Sequence, residues 1–220
     1  MRVISHNRLQ GGTKRVVAER LLRKTWRDHK TLVYATPAFG LAQVALAVAC
    51  KDAGRNCVLF TAKRNELHPL TLEAQAAGAE VVQVPYGYLT NVQAKARRFA
   101  EENDFFLVPF GLDCPEVVLE LAALARLETS KAPKEVWCAG GSGTLTRGLQ
   151  LAWPEAQHNC VLVGTRKGNY GKARLWIAPE KYEQKNRVHC PFPANPNYDA
   201  KIWQFAEKHF ERDSLIWIVN

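Results

Sequence analysis

Short apolar runs alternate along the chain with longer segments in which apolar residues recur at helical spacing. The apolar runs predict strands over residues 31–35, 57–61, 80–85, 105–109, 135–139, 160–164, 174–178 and 215–219. The helical spacing predicts helices over residues 15–29, 41–52, 69–77, 92–103, 115–127, 145–153 and 198–210. Because the strands are apolar throughout and alternate with helices, the pattern predicts an α/β fold of parallel sheets with helices on both faces.

Composition narrows the class of protein. A chain of 220 residues suits one domain or two small ones, and 47% hydrophobic with 23% charged residues excludes a disordered or collagen-like protein. The six cysteines contain no Cys-x-x-Cys pair, which favours free thiols in a reducing compartment over disulfides or a metal site. The uncharged stretch 32–50 is interrupted by Pro37 and Gly40, so we expect a cytoplasmic protein that does not enter a membrane.

The charge is strongly basic and unevenly distributed. The chain carries 30 Lys and Arg against 21 Asp and Glu, a formal net charge of +9. Residues 1–30 have a net charge of +7 and residues 165–187 of +5, whereas residues 101–135 have −5. Such segregation favours a phosphate-rich partner or an anionic ligand, but solvated basic faces would look the same.

A glycine-rich turn follows the strand predicted at 135–139 and precedes a helix. The backbone N–H groups of such a turn converge on one point, and the helix dipole adds positive potential there, so the turn is a candidate phosphate cradle. Neither the Gly-Lys-Ser/Thr of a nucleotide loop nor the Gly-x-Gly-x-x-Gly spacing of a dinucleotide site is present. A tight turn without a ligand is the alternative. The turn consists of Gly140, Gly141, Ser142, Gly143 and Thr144.

Two further segments carry reactive groups near predicted helix starts. Lys14 lies in Gly11-Gly-Thr-Lys-Arg, where neighbouring cations favour the neutral, nucleophilic amine. Tyr198 and Asp199 lie together in Asn195-Pro-Asn-Tyr-Asp. Taken singly, a solvated lysine and a carboxylate at a helix N-terminus explain these residues equally well.

Read in order, these segments resemble the fold-type II (tryptophan synthase β-like) enzymes, which depend on pyridoxal 5'-phosphate (PLP). The lysine segment is followed by an alanine-rich helix, by Gly-Ala-Glu-Val-Val at 78–82, by Val-Pro-Phe-Gly at 108–111, and then by the glycine-rich turn and the tyrosine–aspartate segment. The nearest members are 1-aminocyclopropane-1-carboxylate deaminase and D-cysteine desulfhydrase. The chain is shorter than these enzymes, so part of the larger domain is expected to be missing.

The resemblance implies roles for the same residues. Lys14 would form the Schiff base with PLP, the turn 140–144 would bind the phosphate, and Asp199 would face the pyridine nitrogen. Tyr198 is a candidate acid or base beside the ring. Ala38 and Phe39 stand where the family has a polar loop that binds the substrate carboxylate. Phe39 would either stack on the ring or belong to the core.

The resemblance also implies an architecture. Residues 31–108 would form a smaller lobe, residues 1–30 and 109–220 a larger lobe that binds the cofactor, and the protein would be a homodimer. The reaction would be carbanion chemistry at an amino-bearing carbon, which covers decarboxylation, deamination and elimination.

The surplus of positive charge suggests a hypothesis about the substrate. Related enzymes are expected in phage pathways that modify thymine bases, so the amino-acid-like substrate could be carried on DNA, and the compartment would then be the host cytoplasm. A non-catalytic nucleic-acid-binding protein on a degenerate PLP-enzyme scaffold is the alternative. In either case the candidate contacts to nucleic acid lie in one basic loop: Arg166, Lys167, Tyr170, Lys172 and Arg174.

Overall fold

The computed structural model describes residues 1–85, 87–164, 167–211 and 213–220. In chain order its elements are β1 (Arg2–Ser5), α1 (Gly12–Arg23), β2 (Thr31–Ala35), α2 (Ala42–Asp52), β3 (Asn56–Ala62), α3 (Pro69–Ala76), β4 (Glu80–Val84), α4 (Leu89–Asn103), β5 (Phe106–Leu107), α5 (Pro115–Glu128), β6 (Glu135–Gly140), α6 (Thr144–Ala152), β7 (Gln157–Leu162), β8 (Arg174–Ile177), α7 (Trp203–His209) and β9 (Ser214–Ile218). Short 3₁₀ turns occupy Phe110–Leu112 and Asp199–Ile202.

The chain divides into two compact units, each built on one parallel sheet. One unit consists of Met1–Thr13 with Asp113–Asn220, and the other of Lys14–Leu112. Residues 14–30 therefore group with the second unit, whereas the sequence-based lobes placed them in the larger one; the lobes themselves stay a prediction. The alternation of strands and helices and the parallel pairing confirm the predicted α/β fold class.

The first unit contains a five-stranded sheet in the order β1-β9-β6-β7-β8, with every neighbouring pair parallel. The central strands β9 and β6 are buried along their whole length, as is most of β7. This burial explains why their sequences read as continuous apolar runs rather than alternating ones. At the start of β6 the buried carboxylate of Glu135 accepts hydrogen bonds from Asn159 and Ser214.

The second unit contains a four-stranded parallel sheet in the order β4-β3-β2-β5. Strand β2 is fully buried, and Val33, Val58 and Phe60 form a core with small residues of α4 such as Ala96. Helix α2 is buried at Ala42–Cys50, which accounts for its alanine-rich and uncharged sequence. Within the described part of the chain, no helix is both long enough and apolar enough to cross a membrane.

Several elements differ from the sequence-based expectation: the strand predicted over 105–109 is reduced to Phe106–Leu107, and the strand predicted over 160–164 lies at Gln157–Leu162. Strand β1 was not predicted, because it is only four residues long and lies at a sheet edge where exposed and half-buried positions alternate. Helix α1 ends at Arg23 rather than near residue 29, since the N–H of Trp26 bonds to Leu21 in a turn that buries the indole. The helix predicted over 198–210 is divided between the 3₁₀ turn Asp199–Ile202 and α7.

Candidate active site

The predicted functional residues of the first unit collect at one edge of its sheet. Because all five strands are parallel, their carboxyl ends lie at the same edge, which is where ligands bind in open α/β sheets. The turn 141–143 follows the end of β6, Asn220 lies two residues beyond β9, and the segment 178–183 follows β8. Tyr198 and Asp199 are brought to the same edge by contacts with these segments.

The turn after β6 is packed so closely that two of its glycines, Gly140 and Gly143, leave no room for a side chain. A side-chain carbon on Gly143, whose φ is +88°, would lie 2.0 Å from the carbonyl oxygen of Asn169. One on Gly140 would lie 2.3 Å from Cys160 Sγ, and one on Gly168 would lie 2.5 Å from the carbonyl oxygen of Ser142. The peptide backbone itself therefore forms the surface of the turn, as a site that binds phosphate through N–H groups requires.

The start of α6 suits an anion. The hydroxyl groups of Ser142 and Thr144 lie 2.8 Å apart, and Thr144 is the first residue of the helix. No acidic residue occupies the first turn of α6, and its cation, Arg147, forms an ion pair with Asp113. The N–H of Thr144 points at Ser142 Oγ, 3.5 Å away, so N–H groups of the helix start and the two hydroxyl groups lie together where the helix dipole favours an anion.

Two phenol groups approach Gly141 at the centre of the turn. The hydroxyl of Tyr170 donates a hydrogen bond of 2.7 Å to the carbonyl oxygen of Gly141. The hydroxyl oxygen of Tyr198 lies 3.6 Å from the position that a side-chain carbon on Gly141 would occupy, and outside residues 140–142 no other described atom lies within 4 Å of that position. The space above Gly141 is thus open to a ligand, with the Tyr198 hydroxyl at its border.

A buried carboxylate lies next to Tyr198. Asp199 is fully buried, and its Oδ2 accepts a hydrogen bond of 3.0 Å from the backbone N–H of Asn220. Burial, reinforced by the negative charge of Asp199, raises the pKa of Tyr198 well above its usual value. Tyr198 therefore keeps its proton at neutral pH and is available as a hydrogen-bond donor.

Beneath the turn, a threonine connects two buried cysteines on neighbouring strands. Cys138 on β6 is in register with Cys160 on β7, and the Thr146 hydroxyl donates to Cys160 Sγ at 3.3 Å. Hydrogen bonding to Cys160, together with burial, raises the pKa of Cys138 well above its usual value. Cys138 is therefore a protonated packing group, in agreement with the expectation of free thiols.

Lys14 follows a residue that is anchored to β9. The backbone N–H of Thr13 donates to the carbonyl oxygen of Val219 at 2.9 Å, and its hydroxyl accepts a hydrogen bond from the indole of Trp217. A side-chain carbon on Gly12 would lie 1.9 Å from the Val219 oxygen, so only glycine allows this approach. Thr13 is thereby anchored to β9, and Lys14 is the next residue, in the first turn of α1.

Phe39 lies in the loop between β2 and α2 of the second unit. Its ring is half-buried and contacts the edge of His68 at 4.9 Å and the guanidinium of Arg64 at 5.4 Å. Within the same loop, the Gln43 amide donates to the carbonyl oxygens of Ala38 and Gly40, both at 2.9 Å. Gln43 thus stabilises the loop through its carbonyl oxygens, although the loop lacks the polar side chains that the family has there.

The basic loop has a different structure from the one its sequence suggested. Arg166 lies outside the described residues. Tyr170, which we expected to stack on a base, is only 6% exposed and braces Gly141 instead. Lys167 and Lys172 are exposed, and the guanidinium of Arg174 stacks on Trp176 at 4.3 Å.

Two residues near this edge were missed by the sequence analysis. Glu180 is 3% exposed although it lies in a polar, proline-containing segment. Tyr182 packs against Tyr198 with the ring centroids 6.0 Å apart. Neither has a sequence signal, because charged and aromatic residues in loops are usually exposed and only the tertiary packing buries Glu180.

Comparison with known proteins agrees with this fold. No protein-family model matches the chain. Among solved structures, an ACC deaminase homologue superposes with a TM-score of 0.76 at 16% identity, over 94% of this chain and 79% of its own. A threonine deaminase of T.th. superposes with a TM-score of 0.71 at 17% identity, over 96% of this chain and 82% of its own. The diaminopropionate ammonia lyase of Escherichia coli superposes with a TM-score of 0.62 at 13% identity, over 96% of this chain and 72% of its own. The chain therefore has the fold-type II architecture, in a shortened form.

One curated relative adds a reaction to the comparison. The glycyl-dTMP PLP-dependent decarboxylase of Pseudomonas phage M6 is 25% identical over 65% of this chain. The matched region covers 60% of that protein, which is less than two thirds of its length. These relatives are all enzymes, so they give no support to the alternative of a non-catalytic nucleic-acid-binding protein.

Proposed function

We propose that this protein is a PLP-dependent enzyme that breaks a bond at the α-carbon of an amino-acid group. The observation that carries the proposal is the site at the carboxyl edge of the five-stranded sheet. There a glycine turn with two hydroxyl groups lies beside the Tyr198 hydroxyl and the buried carboxylate of Asp199. The relatives' reactions, two deaminases, a lyase and a decarboxylase, support the same class.

The residues fit the parts of the cofactor. The N–H groups of the turn 140–144, with the hydroxyls of Ser142 and Thr144, would bind the phosphate. Asp199, held by the N–H of Asn220, would keep the pyridine nitrogen protonated. When bound, PLP supplies an electron sink for the electron pair left at the α-carbon. Lys14 would hold the cofactor through Nζ and transfer the proton at the α-carbon, and Tyr198 would orient the bound group by donating its O–H.

We further propose that the reaction is a decarboxylation and that the amino acid is attached to a thymidine nucleotide. The phage relative, whose name contains both features, supports this substrate. The net charge of +9 and its concentration in residues 1–30 and 165–187 provide attraction for an anion larger than a free amino acid. The absence of polar side chains at Ala38 and Phe39 also argues against the small free amino acids that the family's polar loop binds.

The cofactor is tested by spectroscopy of the purified protein. We expect wild-type protein to gain a visible absorption band on addition of PLP, and Lys14→Ala to bind without that band, because the band requires a covalent bond to the lysine amine. Lys51→Ala is the matched control, since Lys51 is an exposed lysine in the last turn of α2. A wild-type protein that takes up no PLP would contradict the proposal.

The substrate is tested by release of CO₂. Glycine attached to thymidine monophosphate should release CO₂ with PLP-loaded wild-type protein and not with Lys14→Ala. Free glycine, serine and threonine should be turned over at least about 100-fold more slowly, because they lack the anchoring nucleotide. Equal turnover of the free amino acids would show that the nucleotide is not part of the substrate.

A further inference from the structure

A cavity of about 330 Å³ lies at the carboxyl ends of β7 and β8, outside the turn 140–144. Its wall is formed by Leu162, Gly164 and residues 177–183. Leu162 and Ile177 are apolar, whereas Glu180, Lys181 and Glu183 are charged. Its volume falls in the range of small-molecule sites, and no role in the proposed chemistry has been assigned to it.

The cavity is lined by a carboxylate that lacks a full set of hydrogen bonds. Glu180 is 3% exposed, and its Oε2 accepts a hydrogen bond of 3.1 Å from Gln204. Its Oε1 is buried and has no hydrogen-bond partner among the described residues. Nε of Arg187 lies 3.7 Å from Oε1, too far for a hydrogen bond, on a side chain that is 75% exposed. The buried ammonium of Lys201 also interacts electrostatically with this carboxylate. A ligand that donates to Oε1 would remove the cost of leaving it unpaired.

An aromatic ring joins this cavity to the candidate active site. Tyr182 lines the cavity, and its ring centroid lies 6.0 Å from that of Tyr198. The Tyr198 hydroxyl in turn borders the open space above Gly141. A planar group in the cavity can therefore stack on Tyr182 while an attached amino acid reaches the turn 140–144.

We propose that this cavity binds the thymine base of the substrate, an inference that rests on the proposed function. An ionised carboxylate only accepts hydrogen bonds, so the ligand edge facing Glu180 must carry a donor. The N3–H of thymine is such a donor, whereas cytosine presents a lone pair at N3, which the carboxylate repels. The ring stacks on Tyr182, and the apolar wall at Leu162 and Ile177 contacts its other face.

The proposal is tested by binding of unmodified nucleotides, using titration calorimetry on the PLP-treated protein. We expect thymidine monophosphate to bind at least about tenfold more tightly than deoxycytidine monophosphate, because a hydrogen bond to a charged group contributes about that factor in affinity. Glu180→Gln should reduce this preference to less than about threefold. Glu207→Gln is the matched control, because Glu207 is an exposed carboxylate on α7, the helix that carries Gln204. Equal binding of the two nucleotides by wild-type protein would overturn the proposal.

A second pair of variants guards against misfolding of Glu180→Gln. Tyr182→Phe should retain thymidine monophosphate binding, whereas Tyr182→Ala should weaken it about tenfold through loss of stacking. Unchanged affinity in Tyr182→Ala would also overturn the proposal. The two proposals fail separately: PLP uptake without nucleotide binding refutes only the base site, and nucleotide binding without PLP uptake refutes only the enzyme.

Discussion

The hydroxyl of Tyr170 donates a hydrogen bond of 2.7 Å to the carbonyl oxygen of Gly141. Tyr170 lies 29 residues further along the chain, yet it is buried against the turn and fixes the direction of this peptide group. A carbonyl whose oxygen is engaged by Tyr170 would repel a phosphate at the proposed site less than a carbonyl without that partner.

We therefore expect Tyr170→Phe to weaken PLP binding. The variant keeps the ring and loses the hydrogen bond, which is worth about 1 kcal/mol, so the Kd for PLP should rise about fivefold. Absorbance titration with PLP measures the change. Tyr88→Phe, at a tyrosine that is 83% exposed, should match the wild type. Wild-type affinity in Tyr170→Phe would mean that the turn is held by its glycine packing alone.

Replacing Gly143 separates backbone strain from the packing of the turn. Gly143→Ala places alanine at a φ of +88°, which alanine avoids, and brings its Cβ within 2.0 Å of the Asn169 carbonyl oxygen. Gly54→Ala places alanine at a φ of +62°, but no atom lies within 4 Å of its Cβ, so this variant measures backbone strain alone. Both should lose about 1–2 kcal/mol of unfolding free energy from strain, measured by urea denaturation.

Only Gly143→Ala should also lose PLP binding, because the Asn169 contact forces the turn to move. A Gly143→Ala protein that binds PLP as tightly as Gly54→Ala would argue against the turn 140–144 as the phosphate site.

The carboxylate of Asp199 should matter for turnover more than for cofactor binding. Asp199→Asn retains the shape of the side chain but removes the charge that keeps the pyridine nitrogen protonated. We expect kcat for CO₂ release to fall on the order of 100-fold or more while the PLP absorption band persists.

Asp213→Asn is the control for this variant, since Asp213 forms ion pairs with Arg2 and Lys131 at the opposite, amino-terminal end of β9. Equal turnover by Asp199→Asn and Asp213→Asn would remove Asp199 from the mechanism.

Tyr34 makes stability depend on alkaline pH. Burial raises the pKa of Tyr34 to about 12, although a hydrogen bond from the N–H of Gly111 opposes the rise. The folded state therefore holds this proton more tightly than the unfolded state. The Tyr34 proton therefore contributes about 2.5 kcal/mol to the unfolding free energy. This contribution is fully present below about pH 10 and is lost as the pH rises towards about 12.

Denaturant unfolding at about pH 9.5 and about pH 11.5 measures this loss. The decrease in unfolding free energy should be about 2 kcal/mol smaller in Tyr34→Phe than in wild type, because phenylalanine has no proton to lose. Tyr88→Phe should behave as wild type. An identical decrease in all three proteins would assign the effect to other groups.

The sequence determined the fold class and the order of the elements. Buried strands such as β6 and β9 are apolar at nearly every position, and this pattern can be read without knowing what covers them. The glycine turn at 140–144 could also be found, because glycine is required where the backbone must approach another chain segment closely.

Only the tertiary structure decided which side chains meet at the carboxyl edge of the sheet. Tyr170 looked like a base-stacking residue in a basic loop, and it is instead packed under Gly141. Glu180 carries no signal in the sequence, and it is buried with a hydrogen bond from Gln204 of α7. Local sequence specifies backbone preference and hydrophobic period, but burial of a loop residue depends on segments distant in the chain.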